Sequence, residues 1–202
     1  MVQSMITLYG NRMCPYAQRC VISLEYVQAA YENVEVNLYG SGGFTKAQLQ
    51  QVEARSGLEP KGYVPVLRVA SDVVRESSMC VRRVAREFEA LEPGDAAAAD
   101  RLIELCDGKL STEGRRAVEK GQRRSAGLDE CLREVDEALE GRPYLAGQTF
   151  STADACLVPF LFRVDQGLEI PAEYDRLREY LTRVLAEPHV KRTMPRTWWW
   201  WW

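Results

Sequence analysis

Every convincing strand signal in this chain falls before residue 92, and everything after Ala96 reads as helix. That asymmetry constrains the fold more than any other feature: a small mixed sheet flanked by helices must precede an all-helical unit. Met5-Ile6-Thr7-Leu8-Tyr9 is a short β-prone run closed by Gly10-Asn11. Pro15 to Ala30 sets Ala17, Val21 and Leu24 on a helical period. Val34 to Leu38 alternates as a second strand, and a loop with Gly40, Gly42 and Gly43 leads into a helix from Thr45 to Arg55. Tyr63 to Val69 and Val73 to Arg75 predict a hairpin turning at Ser71-Asp72. Ser77 to Ala90 carries Cys80, Val81, Val84, Ala85 and Phe88 on one helical face. The order is βαβ, α, then ββα.

Glu92-Pro93-Gly94-Asp95 marks a linker, with Asp95 able to cap a helix through Leu102, Ile103 and Cys106. Leu128, Cys131, Leu132, Val135 and Leu139 predict another helix, ended by Gly141. Phe150-Ser151-Thr152-Ala153-Asp154 has capping-box spacing, with Phe150 placed to staple onto Ala155. The helix it starts, Ala155 to Phe162, is apolar on every face and predicts a central buried position, bent at Pro159. An amphipathic helix from Ala172 to Ala186 follows. The expected division is 1–91, 96–190 and a tail over 191–202.

Chemistry is narrowed by small counts. With 26 basic against 29 acidic residues and a pI near 5.4, the chain lacks the clustered basic charge of a nucleic-acid binder. No apolar run reaches the roughly 18–20 residues that span a bilayer, and no charged-then-apolar leader opens the sequence, so the expectation is a soluble cytoplasmic protein. The one histidine, His189, excludes a zinc site built on several histidines and reads as a helix-end packing residue. Six scattered cysteines without metal-ligand spacing read as reduced thiols in a reducing compartment, with no metal.

One cysteine stands apart. Cys14 follows the first strand and precedes Pro15, which suits the first position of a helix because its missing N–H is not needed there. Cys14 is then the cap, with the free N–H groups of Tyr16 and Ala17 and the positive helix end facing its sulfur. Such a setting depresses a thiol's pKa and enriches the nucleophilic thiolate; Arg12 or Arg19 can add to the effect or lie solvated. A dithiol redox protein would carry its second cysteine at Ala17. Cys20 lies about 9 Å further up the helix and faces elsewhere. The implied chemistry is monothiol: Cys14 attacks a disulfide or other electrophile, and an external thiol releases it.

Two further pairs complete the constellation. Proline inside the run Val64-Pro65 indicates an edge or non-strand segment, or a cis bond that turns the Val64 backbone outward toward a ligand's main chain. Both readings stay open. Ser77 is a good helix cap able to hold a carboxylate, and Glu76 can receive an ammonium, so Glu76-Ser77 suits an amino-acid-like end.

In this order, Cys14-Pro15-Tyr16-Ala17-Gln18-Arg19, Val64-Pro65-Val66-Leu67 and Glu76-Ser77-Ser78 resemble the glutathione transferase superfamily, nearest its cysteine-type branch of omega-class, lambda-class and dehydroascorbate reductase enzymes. Phe150 to Asp154 matches that family's helical-domain capping motif. The resemblance implies an α/β thioredoxin-like N-terminal domain with a cis-proline plus an all-α C-terminal domain. It implies Cys14 as the catalytic thiol, forming a mixed disulfide with glutathione as co-substrate. Tyr16, the Val64 backbone beside Pro65, Glu76 and Ser77 would bind glutathione, and Asp154 would be structural. Lys46 and Lys61 are candidates for its glycyl carboxylate. A homodimer is a further family expectation, and because the chain after Pro188 is shorter than the family's usual final helix, the expectation is an open second-substrate pocket.

All five tryptophans form the run Trp198, Trp199, Trp200, Trp201 and Trp202. Burying five would remove roughly 1,000 Å² from water. Docking over the pocket, on a neighbouring chain or at a membrane interface is one reading; an extension without catalytic consequence is the other. The leading function is a glutathione-dependent thiol transferase acting on mixed disulfides, dehydroascorbate or related electrophiles. The alternatives are a glutathione-conjugating enzyme, using a hydroxyl such as Tyr9 or Ser4, and a non-catalytic transferase-like module.

Overall fold

A computed structural model describes residues 5–40, 42–119 and 125–194. The tryptophan run and Ser4 lie outside the described residues. The first half folds as β1 (Ile6–Gly10), α1 (Pro15–Tyr26), β2 (Tyr31–Asn37), β3 (Phe44–Thr45), α2 (Lys46–Arg55), β4 (Val66–Val69), β5 (Asp72–Arg75) and α3 (Ser77–Phe88). Its five strands lie in the order β3-β2-β1-β4-β5. β1 runs parallel to β2, with Ile6 opposite Tyr31, and antiparallel to β4, with Leu8 opposite Leu67.

The central strand is buried along its whole length because helices cover both faces. Ile6 and Leu8 pack with Cys20, Leu24, Cys80 and Val84 of α1 and α3. Tyr9, one residue out of phase, faces the other way and packs with Val36, Leu49 and Val66. The thioredoxin-like mixed sheet expected from the sequence is therefore present.

The helical half comprises α4 (Ala96–Leu105), a π-helical turn (Cys106–Leu110), α5 (Ser111–Glu119), α6 (Ala126–Ala138), α7 (Thr152–Leu168), α8 (Asp175–Ala186) and α9 (Pro188–Lys191). Asp95 caps α4 by accepting from the Ala98 N–H at 3.0 Å. α7 is the central helix, packing on α1, α3, α4, α5 and α8. At its start Asp154 accepts from the N–H and hydroxyl of Ser151, the Leu145 N–H and the Tyr180 hydroxyl, at 2.8–3.1 Å. One core runs through both halves, taking Ile22, Val81 and Ala85 from the first. Phe150 stacks on Tyr26 of α1 at 5.2 Å, and His189 meets both rings edge-on. His189 is a packing residue, as read from the sequence.

Local details depart from the sequence reading. α1 stops at Tyr26 rather than Ala30, where Gln28 takes φ +52°, and β2 starts three residues earlier than expected. The hairpin turns at Ala70-Ser71, one residue early, with Ala70 at φ +54°. The two-residue β3, paired with Val36 and Asn37, is too short to show a period in sequence. Among the described residues no helix is long and apolar enough to cross a membrane.

Candidate active site

The loop between β1 and α1 is pinned before the thiol is reached. The Asn11 side chain donates to the Val36 carbonyl and accepts from the Met13 N–H, each at 3.0 Å. The Arg12 N–H donates to the Glu35 carboxylate at 3.2 Å. Cys14 then occupies the N-cap of α1 with extended backbone (φ −78°, ψ 119°), and Pro15 takes the first helical position. Its side chain makes no capping hydrogen bond, while the nearby Ala17 and Tyr16 amides favour its thiolate. That cap position is the one the sequence predicts.

The expected ionisation is not. Cys14 is only 5% exposed, and burial pushes its thiol up from the ordinary cysteine value. The Ala17 and Tyr16 amides and the Arg163 and Arg19 guanidiniums pull it down, but they do not overcome the lost hydration. The sequence shows the cap; it does not show the roof over it.

Cys14, Tyr16, Val64, Pro65, Glu76 and Ser77 all line one cleft of about 600 Å³. The Val64-Pro65 bond is cis. β4 begins only at Val66, so Val64 stands outside the sheet's strand pairing. At the far wall the cap assignment changes. Glu76, not Ser77, holds the N-cap of α3, and its side chain makes no capping bond. Glu76 sits at φ +63°, a left-handed backbone that costs a non-glycine residue about 1–3 kcal/mol, and such outliers cluster at functional sites.

Ser77 is the first residue of α3, and its Oγ accepts from Arg19 at 2.9 Å. Because a guanidinium only donates, the Ser77 hydroxyl proton is left for an acceptor in the cleft. Arg19 is wholly buried and also donates to the Asp107 carboxylate at 2.5 Å and the Cys156 carbonyl at 2.8 Å. Its guanidinium lies over the Phe160 ring at 4.6 Å. Arg19 thus locks Ser77 to the π-helical turn, whereas Arg12 is exposed.

Lys46 and Lys61 both line the cleft, and so does Arg75, which the sequence reading missed. Arg75 pairs at 3.4 Å with Glu53, a fully buried carboxylate that also accepts from the Gly62 N–H. The signal for Arg75 was a cation at the end of the strand just before Glu76. Cys20 is fully buried beside Cys80 and is absent from the cleft wall, in line with a monothiol site. Tyr9 packs on Phe44 at 5.3 Å, also away from the cleft wall.

Comparison with protein families gives two matches: the glutathione S-transferase N-terminal domain over residues 13–87, and the glutathione S-transferase C-terminal domain over residues 117–183. Together they span most of the chain. The chain belongs to the glutathione S-transferase family. Its fold is similar to that of the theta-class glutathione S-transferase of Xanthomonas axonopodis pv. citri, solved with glutathione bound. That match has a TM-score of 0.75 and 22% identity, and covers 96% of this chain and 99% of that one. Glutathione transferase Omega 1C of Trametes versicolor superimposes with a TM-score of 0.77 at 22% identity over 95% and 92% of the two chains. A tau-class enzyme of mango gives 0.76 at 21% identity over 96% and 94%. The transferase architecture is thereby shown, while three classes fit almost equally well. No curated protein sequence matches the chain.

Proposed function

We propose that this transferase is a glutathione-dependent thiol transferase in which Cys14 carries the glutathionyl group as a mixed disulfide. The observation that supports it is the shared cleft: a cysteine at a helix N-cap lines one cleft with Val64, Glu76 and Ser77, with alanine where a resolving thiol would stand. The 1–91 domain binds glutathione, and the helical 96–190 domain supplies Asp107 to one wall.

Each end of the tripeptide finds chemistry that suits it. Glu76 receives the γ-glutamyl ammonium, while the Ser77 hydroxyl and the N-terminus of α3 receive its carboxylate. Val64, free of the sheet, offers main-chain groups to the cysteinyl amide. The glycyl carboxylate meets the cationic side formed by Lys46, Lys61 and Arg75.

The Cys14 thiolate attacks the glutathionyl sulfur of a mixed disulfide. The Cys14–glutathione S–S bond forms as the substrate S–S bond breaks, and the substrate leaves as a thiolate that takes up a proton. A second glutathione, as thiolate, attacks the adduct, giving glutathione disulfide and free Cys14. With dehydroascorbate, two glutathione molecules supply two electrons and two protons, giving ascorbate and glutathione disulfide.

Substrate choice tests the reading. Wild-type protein is expected to deglutathionylate a model peptide and reduce dehydroascorbate, with a chlorinated aromatic acceptor conjugated far more slowly. Rapid conjugation without disulfide turnover would reverse the assignment.

A further inference from the structure

The second buried guanidinium is assigned no role in the glutathione contacts above. Arg163 lies on α7, in the helical half, and is wholly buried. One of its terminal nitrogens donates at 2.8 Å to both the Gln18 side-chain oxygen and the Pro159 carbonyl. The other donates at 3.0 Å to the carbonyl of Met13, the residue before the thiol. Gln18 closes the arrangement from the other side, its N–H donating to the Cys14 carbonyl at 3.0 Å and its side chain to the Thr193 carbonyl at 3.0 Å. One side chain from the far domain thus grips the turn carrying Cys14 on both sides.

We propose that Arg163 is a positioning residue that clamps the Cys14 turn through the Met13 carbonyl and supplies the positive charge against which the Cys14 thiolate forms. One geometrical fact favours it over Arg19. The Met13 contact places the Arg163 guanidinium one peptide unit from Cys14. Like Arg19, Arg163 is a fork that reaches three acceptors at once, which a lysine ammonium on a flexible stem does not reproduce.

The other charged groups around Cys14 are Arg19 on α1, Lys46 and Glu53 on α2, Lys61 and Arg75 beside the cleft, Glu76 at the start of α3 and Asp107 on the π-helical turn. Of the two arginines that pull the thiol down, Arg163 acts more strongly. Burial lowers its own pKa to about 10, so it remains a cation at neutral pH.

The inference rests on the thiol-transfer reading for what Cys14 does, and on geometry alone for how Cys14 is held. The experiment follows iodoacetamide alkylation at Cys14, by peptide mass, against pH. In wild type the rate climbs into the alkaline range, because burial raises the thiol. In Arg163→Met the midpoint moves higher, leaving about tenfold less thiolate at a fixed pH below it. Arg163→Lys, which restores the charge without the fork, recovers most of that loss. Gln18→Glu serves where Arg163→Met does not fold: it brings a carboxylate to the guanidinium and also raises the midpoint. An unchanged midpoint in a folded Arg163→Met or Gln18→Glu protein, or no recovery in Arg163→Lys, overturns the proposal. The expected shifts in a wild type that accepts no glutathionyl group would preserve the role of Arg163 and remove the thiol-transfer reading.

Discussion

Cys14→Ser is expected to lose deglutathionylation and dehydroascorbate reduction by roughly a thousandfold or more, the scale on which enzymes lose turnover when their nucleophile is removed. The argument is chemical before it is structural. A serine hydroxyl cannot form a disulfide, so the glutathionyl group has nowhere to rest between donor and acceptor. The other five cysteines are all buried, and Cys20, six residues on, sits beside Cys80 rather than in the cleft wall. No rescue from within the chain is expected. Serine is nearly isosteric with cysteine and keeps the cap of α1, while Glu76, Ser77 and Val64 remain in place. Glutathione binding, followed calorimetrically, should therefore stay close to wild type. Retained turnover in the variant would remove Cys14 from the mechanism; lost binding would mean the cleft depends on its sulfur for shape.

Asp154→Ala is expected to destabilise the fold by about 4 kcal/mol, because it leaves buried N–H and O–H groups without their acceptor. For a chain of this size that lowers the thermal midpoint by about 10 °C. The carboxylate is wholly buried and gathers Ser151, Leu145 and Tyr180, so it joins the start of α7 to the preceding loop and to α8. Burial raises the Asp154 pKa, and those hydrogen bonds oppose the rise. Helix α7 carries Arg163 and packs on α1, so loosening its start loosens the support of the thiol turn. Asp154→Asn, which keeps one acceptor oxygen, should lose less. A thermal midpoint for Asp154→Ala within a degree or two of wild type would show that water or rearrangement satisfies these donors.

These two residues were legible in the sequence for the same reason: an immediate neighbour marks each one, even though Asp154 also reaches Leu145 and Tyr180. Cys14 is defined by Pro15 after it, and Asp154 by Ser151 three residues before it. Strand and helix order was legible because apolar period reports local geometry, whereas the burial of Thr7 in β1 was not, since helices distant in sequence cover it. What stayed hidden depends on distant chain. Arg163 reads as an isolated charge in an apolar helix, and only folding brings it to Met13, 150 positions away. The raised Cys14 thiol has the same origin, since the amides that favour the thiolate are local and the protein that excludes water is not. The Ser77 side chain suits a cap and points the sequence reading there; the positive φ of Glu76, at the passage from β5 into α3, places the cap one residue earlier.

The most direct measurement is to incubate the full chain with glutathione disulfide and locate the adduct by peptide mass. The prediction is one glutathionyl group per chain, on Cys14, removed by added glutathione. A protein that remains unmodified, or that takes the group on another cysteine while Cys14 stays free, contradicts the account.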